Sequence, residues 1–137
     1  MKTLGGIIFS SEDAFWCTWI ALGSTDMRVG IATTEDIGYY ASCTNDAYRL
    51  SSKWQYITCR RIGLTKIQMY VNGVLAAEAT VTSAALRQHN LTNRIGYFQY
   101  AAGRYYFQGD ISDFVLDNTP WPVAKMKNKV ALDTGFF

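Results

Sequence analysis

Aromatic and polar side chains suited to holding a sugar are concentrated between Tyr97 and Gln108, where the sequence reads YFQYAAGRYYFQ. The run holds six aromatic residues within twelve positions, together with Gln and Arg side chains. Such rings stack on the faces of sugars while amides and guanidinium groups bond the hydroxyls, and aromatic and Arg residues also dominate protein interfaces. The candidate residues for a glycan or partner surface are Tyr70, Tyr97, Gln99, Tyr100, Arg104, Tyr105 and Tyr106.

The exposure of this run decides its role. Successive side chains of a strand point to opposite faces, so about half of these rings would point outward. Exposed rings would form a binding surface, whereas buried rings would belong to the core. The sequence leaves both interpretations open.

No pair of acidic residues has the spacing that glycoside hydrolysis requires. A retaining glycosidase needs two carboxylates about 5 Å apart, and Asp110 and Asp113 have an odd spacing that sends them to opposite faces of a regular strand. His89 is the only histidine, and no nucleophile elbow, phosphate loop or zinc-ligand spacing accompanies it. We therefore expect neither enzymatic activity nor a metal site of these kinds.

Length predicts one domain, and composition favours β-structure. The chain has 137 residues, of which 15% are aromatic and 18% charged, and aromatic and β-branched side chains favour a pleated, half-buried surface. A net charge of +2 is too weak to imply a nucleic acid or an anionic membrane as partner. No apolar run reaches the ~18 residues of a membrane span. The N-terminal segment lacks a secretory pattern, so we expect synthesis in the cytoplasm.

The clearest turn lies in the segment KIQMYVNGVLAAEA, residues 66–79. Asn72-Gly73 is flanked by alternating segments, which predicts a type I′ hairpin with Ile67, Met69 and Val71 on one face. After Pro120 and Pro122, residues 123–129 are compatible with one or two helical turns. The predicted strands are residues 6–9, 14–21, 27–32, 38–43, 54–60, 66–72, 74–81, 94–100 and 105–116.

The order of these landmarks resembles the concanavalin A-like lectin/glucanase superfamily, in its laminin-G-like and pentraxin-like branch. Five segments carry the resemblance, in family order: FWCTWI, WQYIT, MYVNG, RIGY and FQGDISDF, at residues 15–20, 54–58, 69–73, 94–97 and 107–114. The chain departs from the pattern by being short at its front, where GGIIF is the one candidate for the opening strand.

The resemblance implies an all-β, antiparallel sandwich of jelly-roll type, with one short C-terminal helix. Many related domains bind calcium through loop oxygens. We expect no cofactor, with calcium as the alternative, because Asp and Asn are ordinary turn formers and turn formation is the favoured role of the loop residues. The available loop oxygens belong to Asp26, Asp36, Asn45, Asp46, Asp117 and Asn118.

The C-terminal segment suggests assembly. We expect a sandwich over residues 1–122 and a tail over 123–137 in which Phe136 and Phe137 bury against this domain or a neighbouring subunit, since leaving both in water forgoes about 2 kcal/mol each. The resulting hypothesis is a non-catalytic lectin-like module acting in recognition or assembly. It would be a homo-oligomeric decoration, fibre or tail component of a phage or virus particle. The alternative is a stand-alone carbohydrate-binding domain, and glycoside hydrolase ranks a distant third.

Overall fold

The computed structural model describes residues 6–12, 16–22, 26–32, 38–44, 54–63, 65–81, 92–100 and 103–134. Within these residues the chain forms antiparallel strands and one helix near its C-terminus. The predicted class, antiparallel β with a short C-terminal helix, is confirmed. Residues 136 and 137, like Asp36, Asn45, Asp46 and His89, lie outside the described residues.

The larger sheet has five strands, and every neighbouring pair is antiparallel. Its strands are β1 Gly6–Glu12, β2 Trp16–Leu22, β3 Asp26–Ala32, β4 Gly38–Thr44 and β8 Thr92–Ile95. They lie in the order β4-β3-β2-β1-β8. The first four strands are therefore neighbours both in the sequence and in the sheet.

Two smaller sheets hold the remaining strands of the described residues. The three-stranded sheet has the order β5-β6-β7, with β5 Ile57–Ile62, β6 Lys66–Val71 and β7 Val74–Thr80. The remaining two strands, β9 Tyr97–Tyr100 and β10 Gly103–Tyr106, pair with each other.

The predicted type I′ turn between β6 and β7 is confirmed. Asn72 and Gly73 have φ angles of 51° and 77°, the left-handed conformation that this turn requires at both positions. Val71 pairs with Val74 on either side of the turn.

One core lies between the two larger sheets, as in a β-sandwich. Apolar side chains of β3 and β4 meet those of β6, and burying each stabilises the fold by about 1.5–3 kcal/mol. The buried cluster consists of Met27, Val29, Ile31, Ala41, Ile67, Met69, Val71 and Val81. The alternation predicted for β6 is thus confirmed.

The helix α1 Val123–Thr134 packs against the turn of the three-stranded sheet. Met126 is completely buried, and a Cβ on Gly73 would lie 3.2 Å from Cγ of Lys127 and 3.8 Å from a methyl of Val130. A side chain at position 73 would therefore press against the helix. It is twelve residues long, where the sequence predicted one or two turns.

Three strand predictions need correction. The predicted strand over residues 54–60 begins only at Ile57, and the one over 105–116 is wrong beyond Tyr106, where β10 ends. Asp113 has a φ of 51°, which an extended strand does not contain. The predicted strand over residues 94–100 is also divided, because Gly96 with a φ of 73° separates β8 from β9.

Candidate ligand-binding face of the aromatic hairpin

The register of the β9–β10 hairpin decides which of its residues share a face. Since successive strand positions alternate, positions 97, 99, 104 and 106 fall on one face and positions 98, 100, 103 and 105 on the other. The register pairs are Tyr97 with Tyr106, Phe98 with Tyr105, Gln99 with Arg104, and Tyr100 with Gly103.

Tyr97 and Tyr106 form an aromatic pair on the first of these faces. Their ring centroids are 5.1 Å apart and their planes are inclined by 43°, in the range that favours aromatic pairs by about 0.5–1.5 kcal/mol. The guanidinium carbon of Arg94 lies 5.0 Å from the centroid of the Tyr97 ring, within reach of a cation–π attraction. Tyr106 is 56% exposed. An exposed ring is therefore oriented by a second ring, which itself contacts a cation. We call Arg94, Tyr97 and Tyr106 the aromatic face.

Gly96 connects the aromatic face to the larger sheet. Its amide donates to the carbonyl of Ile8 at 2.8 Å, and its carbonyl accepts the amide of Phe107 at 2.8 Å. A Cβ at this position would meet Ile111 and Phe107 only at ordinary contact distances of 3.8 and 4.0 Å. The glycine is required for its positive φ rather than for space.

The positive φ of Gly96 also explains why Arg94 was not among the sequence candidates. Arg94 and Tyr97 are three positions apart, which in a regular strand would place them on opposite faces. The left-handed residue between them breaks the alternation, so the guanidinium reaches the Tyr97 ring. A glycine inside the predicted strand over residues 94–100 is the kind of signal in a sequence that indicates where alternation fails.

Tyr70 lies apart from the aromatic face. It is only 5% exposed, and its hydroxyl accepts a hydrogen bond from Nη2 of Arg60 at 2.8 Å. The Arg60 guanidinium also lies 5.0 Å from the Tyr70 ring. This ring is therefore not open to a ligand and belongs to the polar row described next.

A polar row crosses the three-stranded sheet through Arg60, Gln68 and Glu78, which occupy one register line. Nε of Arg60 donates to Oε1 of Gln68 at 2.8 Å, and Nε2 of Gln68 donates to Oε2 of Glu78. Lys66 donates to the other Glu78 oxygen at 2.9 Å. The hydrogen bonds from Gln68 and Lys66 lower the pKa of Glu78, so Glu78 is a carboxylate at neutral pH.

The polar row ends on the segment that leads into α1. Nη1 of Arg60 donates to the carbonyl of Trp121 at 2.7 Å, while the Trp121 indole donates to Oδ2 of Asp117 at 2.7 Å. Asp117 Oδ1 accepts the Thr119 amide at 3.0 Å, and the Lys125 ammonium lies 3.9 Å from the Trp121 ring centroid. The bond from Trp121, followed by that from Thr119, lowers the pKa of Asp117. These contacts hold the start of α1 against the sheet.

Three of the described acidic residues already have partners. Asp26 bonds to Arg28, both Asp117 oxygens hold the turn before α1, and Asp113 lies 3.7 Å from the Lys129 ammonium. Among the described residues no three His, Cys, Asp or Glu side chains gather in an arrangement that could hold a metal ion. In the same part of the chain no helix is long and apolar enough to cross a membrane.

The structure places the other sequence candidates only in part. The backbone register of Gln99, Tyr100, Arg104 and Tyr105 is defined, but their side chains lie outside the described parts. Positions 99 and 104 share the face of Tyr97 and Tyr106, and positions 100 and 105 lie on the reverse.

A laminin G family model described as concanavalin A-like lectin/glucanases superfamily matches residues 2–121 of the chain. The match covers all the described strands and ends just before α1. No curated protein matches the chain significantly.

Proposed function

Because this chain belongs to the concanavalin A-like lectin/glucanases superfamily, we propose that it is a non-catalytic, lectin-like recognition module whose aromatic face binds carbohydrate. One observation carries the proposal: Tyr106 is 56% exposed while its ring is oriented by Tyr97. A ring that is both exposed and fixed offers a flat apolar surface to the C–H groups of a sugar, at little cost in side-chain entropy.

The absence of catalysis is supported by how the described carboxylates are used. Glycoside hydrolysis needs two carboxylates about 5 Å apart across a bound sugar. Both carboxylate oxygens of Asp117 accept hydrogen bonds in the turn before α1. Asp113 forms an ion pair with Lys129.

Glycan-array binding by the intact chain and by Tyr106→Ala and Tyr106→Phe variants tests this function. We expect Tyr106→Ala to lose at least about 90% of binding and Tyr106→Phe to retain most of it, since stacking uses the ring, and such stacking residues contribute about 2 kcal/mol when removed. Trp54→Ala is the matched control because Trp54 is an exposed aromatic residue beside the other sheet. Equal loss in the control, or no bound glycan at all, would overturn the proposal.

A second candidate function is assembly into a homo-oligomer, as a structural component of a phage or virus particle. It is supported by an exposed apolar run after β10, where Val115 and Leu116 are 55% and 67% exposed. Ile95 and Phe114 are exposed as well, and the Phe114 ring lies 5.2 Å from that of Phe9. Exposed apolar surface of this kind is typical of interfaces. Phe136 and Phe137 are proposed to contribute to the same contact between copies.

Light scattering coupled to size exclusion tests this second candidate. We expect the intact chain to elute as a defined oligomer at micromolar concentration and the double variant Val115→Ser, Leu116→Ser to elute as a folded monomer. Val74→Ser, which changes an exposed valine at the hairpin turn, is the control and leaves the oligomer intact. A monomeric intact chain would exclude the assembly function without affecting the carbohydrate-binding one.

A further inference from the structure

We propose that Asn72-Gly73 is a site of spontaneous deamidation that α1 controls. While α1 is docked on the β6–β7 turn, the pair is protected. When the helix lifts, the Gly73 nitrogen attacks the Asn72 side chain, and the isoaspartate product then prevents the helix from docking again. The site acts independently of the aromatic face and of the exposed apolar run after β10.

The reaction is intramolecular and needs only water. The main-chain nitrogen of Gly73 forms a bond to Cγ of Asn72 and loses its proton, and the side-chain nitrogen leaves as ammonia, which gives a five-membered succinimide. Water then opens the ring at one of its two carbonyls, which leaves either aspartate or isoaspartate at position 72. Glycine favours the attack because it has no Cβ to hinder the approach of its nitrogen.

Three hydrogen bonds hold Asn72 away from this reaction. Its main-chain amide donates to the Tyr56 carbonyl, its Oδ1 accepts the Tyr56 amide, and its Nδ2 donates to Oε1 of Gln55. The last two bonds fix the side-chain amide on the segment before β5. The attack on Cγ therefore competes with contacts that the closed turn already makes.

The helix α1 covers the attacking residue. Gly73 is buried, and a Cβ on it would lie 3.5 Å from Cα of Lys127 and 3.8 Å from a methyl of Val130. The complete burial of Met126 stabilises the helix in this position. Ring closure rotates the peptide between Asn72 and Gly73, and the space for that rotation opens only when the helix lifts. The reaction rate therefore follows the local opening of α1.

Isoaspartate makes the opening permanent. It routes the main chain through the side-chain carboxyl carbon and so lengthens it by one carbon between positions 72 and 73. The two-residue turn joins the paired residues Val71 and Val74, and the helix lies directly on its second residue. The longer main chain therefore pushes the turn and the helix apart. Aspartate keeps the original main chain, so Asn72→Asp is the matched control for the product.

Timed incubation of the intact chain at mildly alkaline pH tests the control by α1, with peptide mass spectrometry to quantify asparagine, aspartate and isoaspartate at position 72. We expect Met126→Ala to react at least about ten-fold faster, because removing most of a buried methionine side chain loosens the helix. Leu132→Ala, at an exposed position of the same helix, should leave the rate unchanged. Val130→Ala is a milder change that should also accelerate the reaction, and it replaces Met126→Ala if that variant does not fold.

Hydrogen exchange in α1 tests the consequence. We expect the purified isoaspartate form to lose amide protection across the helix and Asn72→Asp to keep it. An intact chain that reacts as fast as the urea-unfolded chain would overturn the control by the helix, as would a folded Met126→Ala or Val130→Ala that reacts no faster than Leu132→Ala. Unchanged protection in the isoaspartate form would overturn the permanent release.

Discussion

Asn72 and Tyr56 exchange two hydrogen bonds that join the β6–β7 turn to the segment before β5. The Asn72 amide donates to the Tyr56 carbonyl at 2.8 Å, and the Tyr56 amide donates to Oδ1 of Asn72 at 2.9 Å. The same side chain donates from Nδ2 to Oε1 of Gln55 at 2.7 Å. Asn72 therefore has two structural roles. It adopts the left-handed conformation of the turn, and its side chain bonds to the segment that leads into β5.

Substitutions of Asn72 should separate these two roles. Asn72→Gly keeps the left-handed conformation and loses the side-chain bonds, and we expect it to lower the free energy of unfolding by about 1 kcal/mol. Asn72→Ala loses the same bonds, and we expect its free energy of unfolding to fall by about a further 1–2 kcal/mol because alanine disfavours a positive φ. Urea unfolding of the three proteins measures both values. Equal stability of the two variants would show that backbone conformation contributes nothing at this position.

Gly73→Ala should destabilise the fold more than Gly63→Ala. Both glycines have positive φ, 77° and 55°, so alanine carries a similar conformational cost of about 1–2 kcal/mol at each. A Cβ on Gly63 meets nothing within 4 Å, whereas one on Gly73 lies 3.2 Å from the Lys127 side chain. Hydrogen exchange checks the difference, since only the Gly73 variant should lose amide protection in α1. Intact protection there would mean that the helix adjusts without cost.

The strands of the sandwich could be predicted because their determinants are local. Alternating apolar residues identified β6, and Asn72-Gly73 identified its turn without any knowledge of the rest of the chain. The irregular segment after Tyr106 could not be predicted in this way, since its sequence, FQGDISDF, has the composition of a strand. The structure of this segment includes the left-handed Asp113 and the ring contact from Phe114 to Phe9, and that contact depends on a distant part of the chain.

The polar row shows a second limit of sequence reasoning. A regular two-residue turn at Asn72-Gly73 pairs Val71 with Val74, as observed, and would place Gln68 opposite Ala77. A register shift between Met69 and Tyr70 moves the pairing by one residue, so Gln68 faces Glu78 instead. Bulges of this kind leave no clear mark in the sequence. The alignment of Arg60, Gln68 and Glu78 was therefore not predictable, although each residue is visible in the sequence.

Arg60→Met should destabilise the protein and loosen its C-terminal helix. The guanidinium supplies hydrogen bonds to Gln68, Tyr70 and the carbonyl of Trp121, and partly buried acceptors left without a donor cost about 1–3 kcal/mol each. We expect a total loss of about 3 kcal/mol by urea unfolding and reduced hydrogen-exchange protection in α1. Arg60→Lys retains the charge and at most some of the guanidinium hydrogen bonds. We therefore expect it to lower the free energy of unfolding by an intermediate amount. A change below about 0.5 kcal/mol in Arg60→Met would contradict a stabilising role for the row.

The Asp117–Trp121 bond should make part of the stability depend on acidic pH. Hydrogen bonds from the Trp121 indole and the Thr119 amide hold the pKa of Asp117 below its ordinary value of about 4. Because the folded protein holds the proton less tightly than the unfolded chain, the carboxylate stabilises the fold above the ordinary pKa. This contribution is lost as the pH falls from about 4 through the folded pKa. The difference in melting temperature between the intact chain and Asp117→Asn should thus be largest near pH 7 and shrink as the pH falls below about 4. A difference independent of pH would rule out the carboxylate charge as its source.

Gly96→Ala should weaken the aromatic face more than it weakens the fold. The space around Gly96 admits a methyl group, with Ile111 and Phe107 no closer than 3.8 Å, so the expected loss of stability is the conformational cost of about 1–2 kcal/mol. Relaxing that strain rotates the backbone just before Tyr97, which separates the ring from Arg94. Gly96→Asn is the control, because Asn tolerates positive φ and should preserve both stability and ring geometry. Near-ultraviolet circular dichroism reports the tyrosine environment, and sugar binding reports the site. Full binding by Gly96→Ala would show that the contact between Arg94 and Tyr97 is dispensable for recognition.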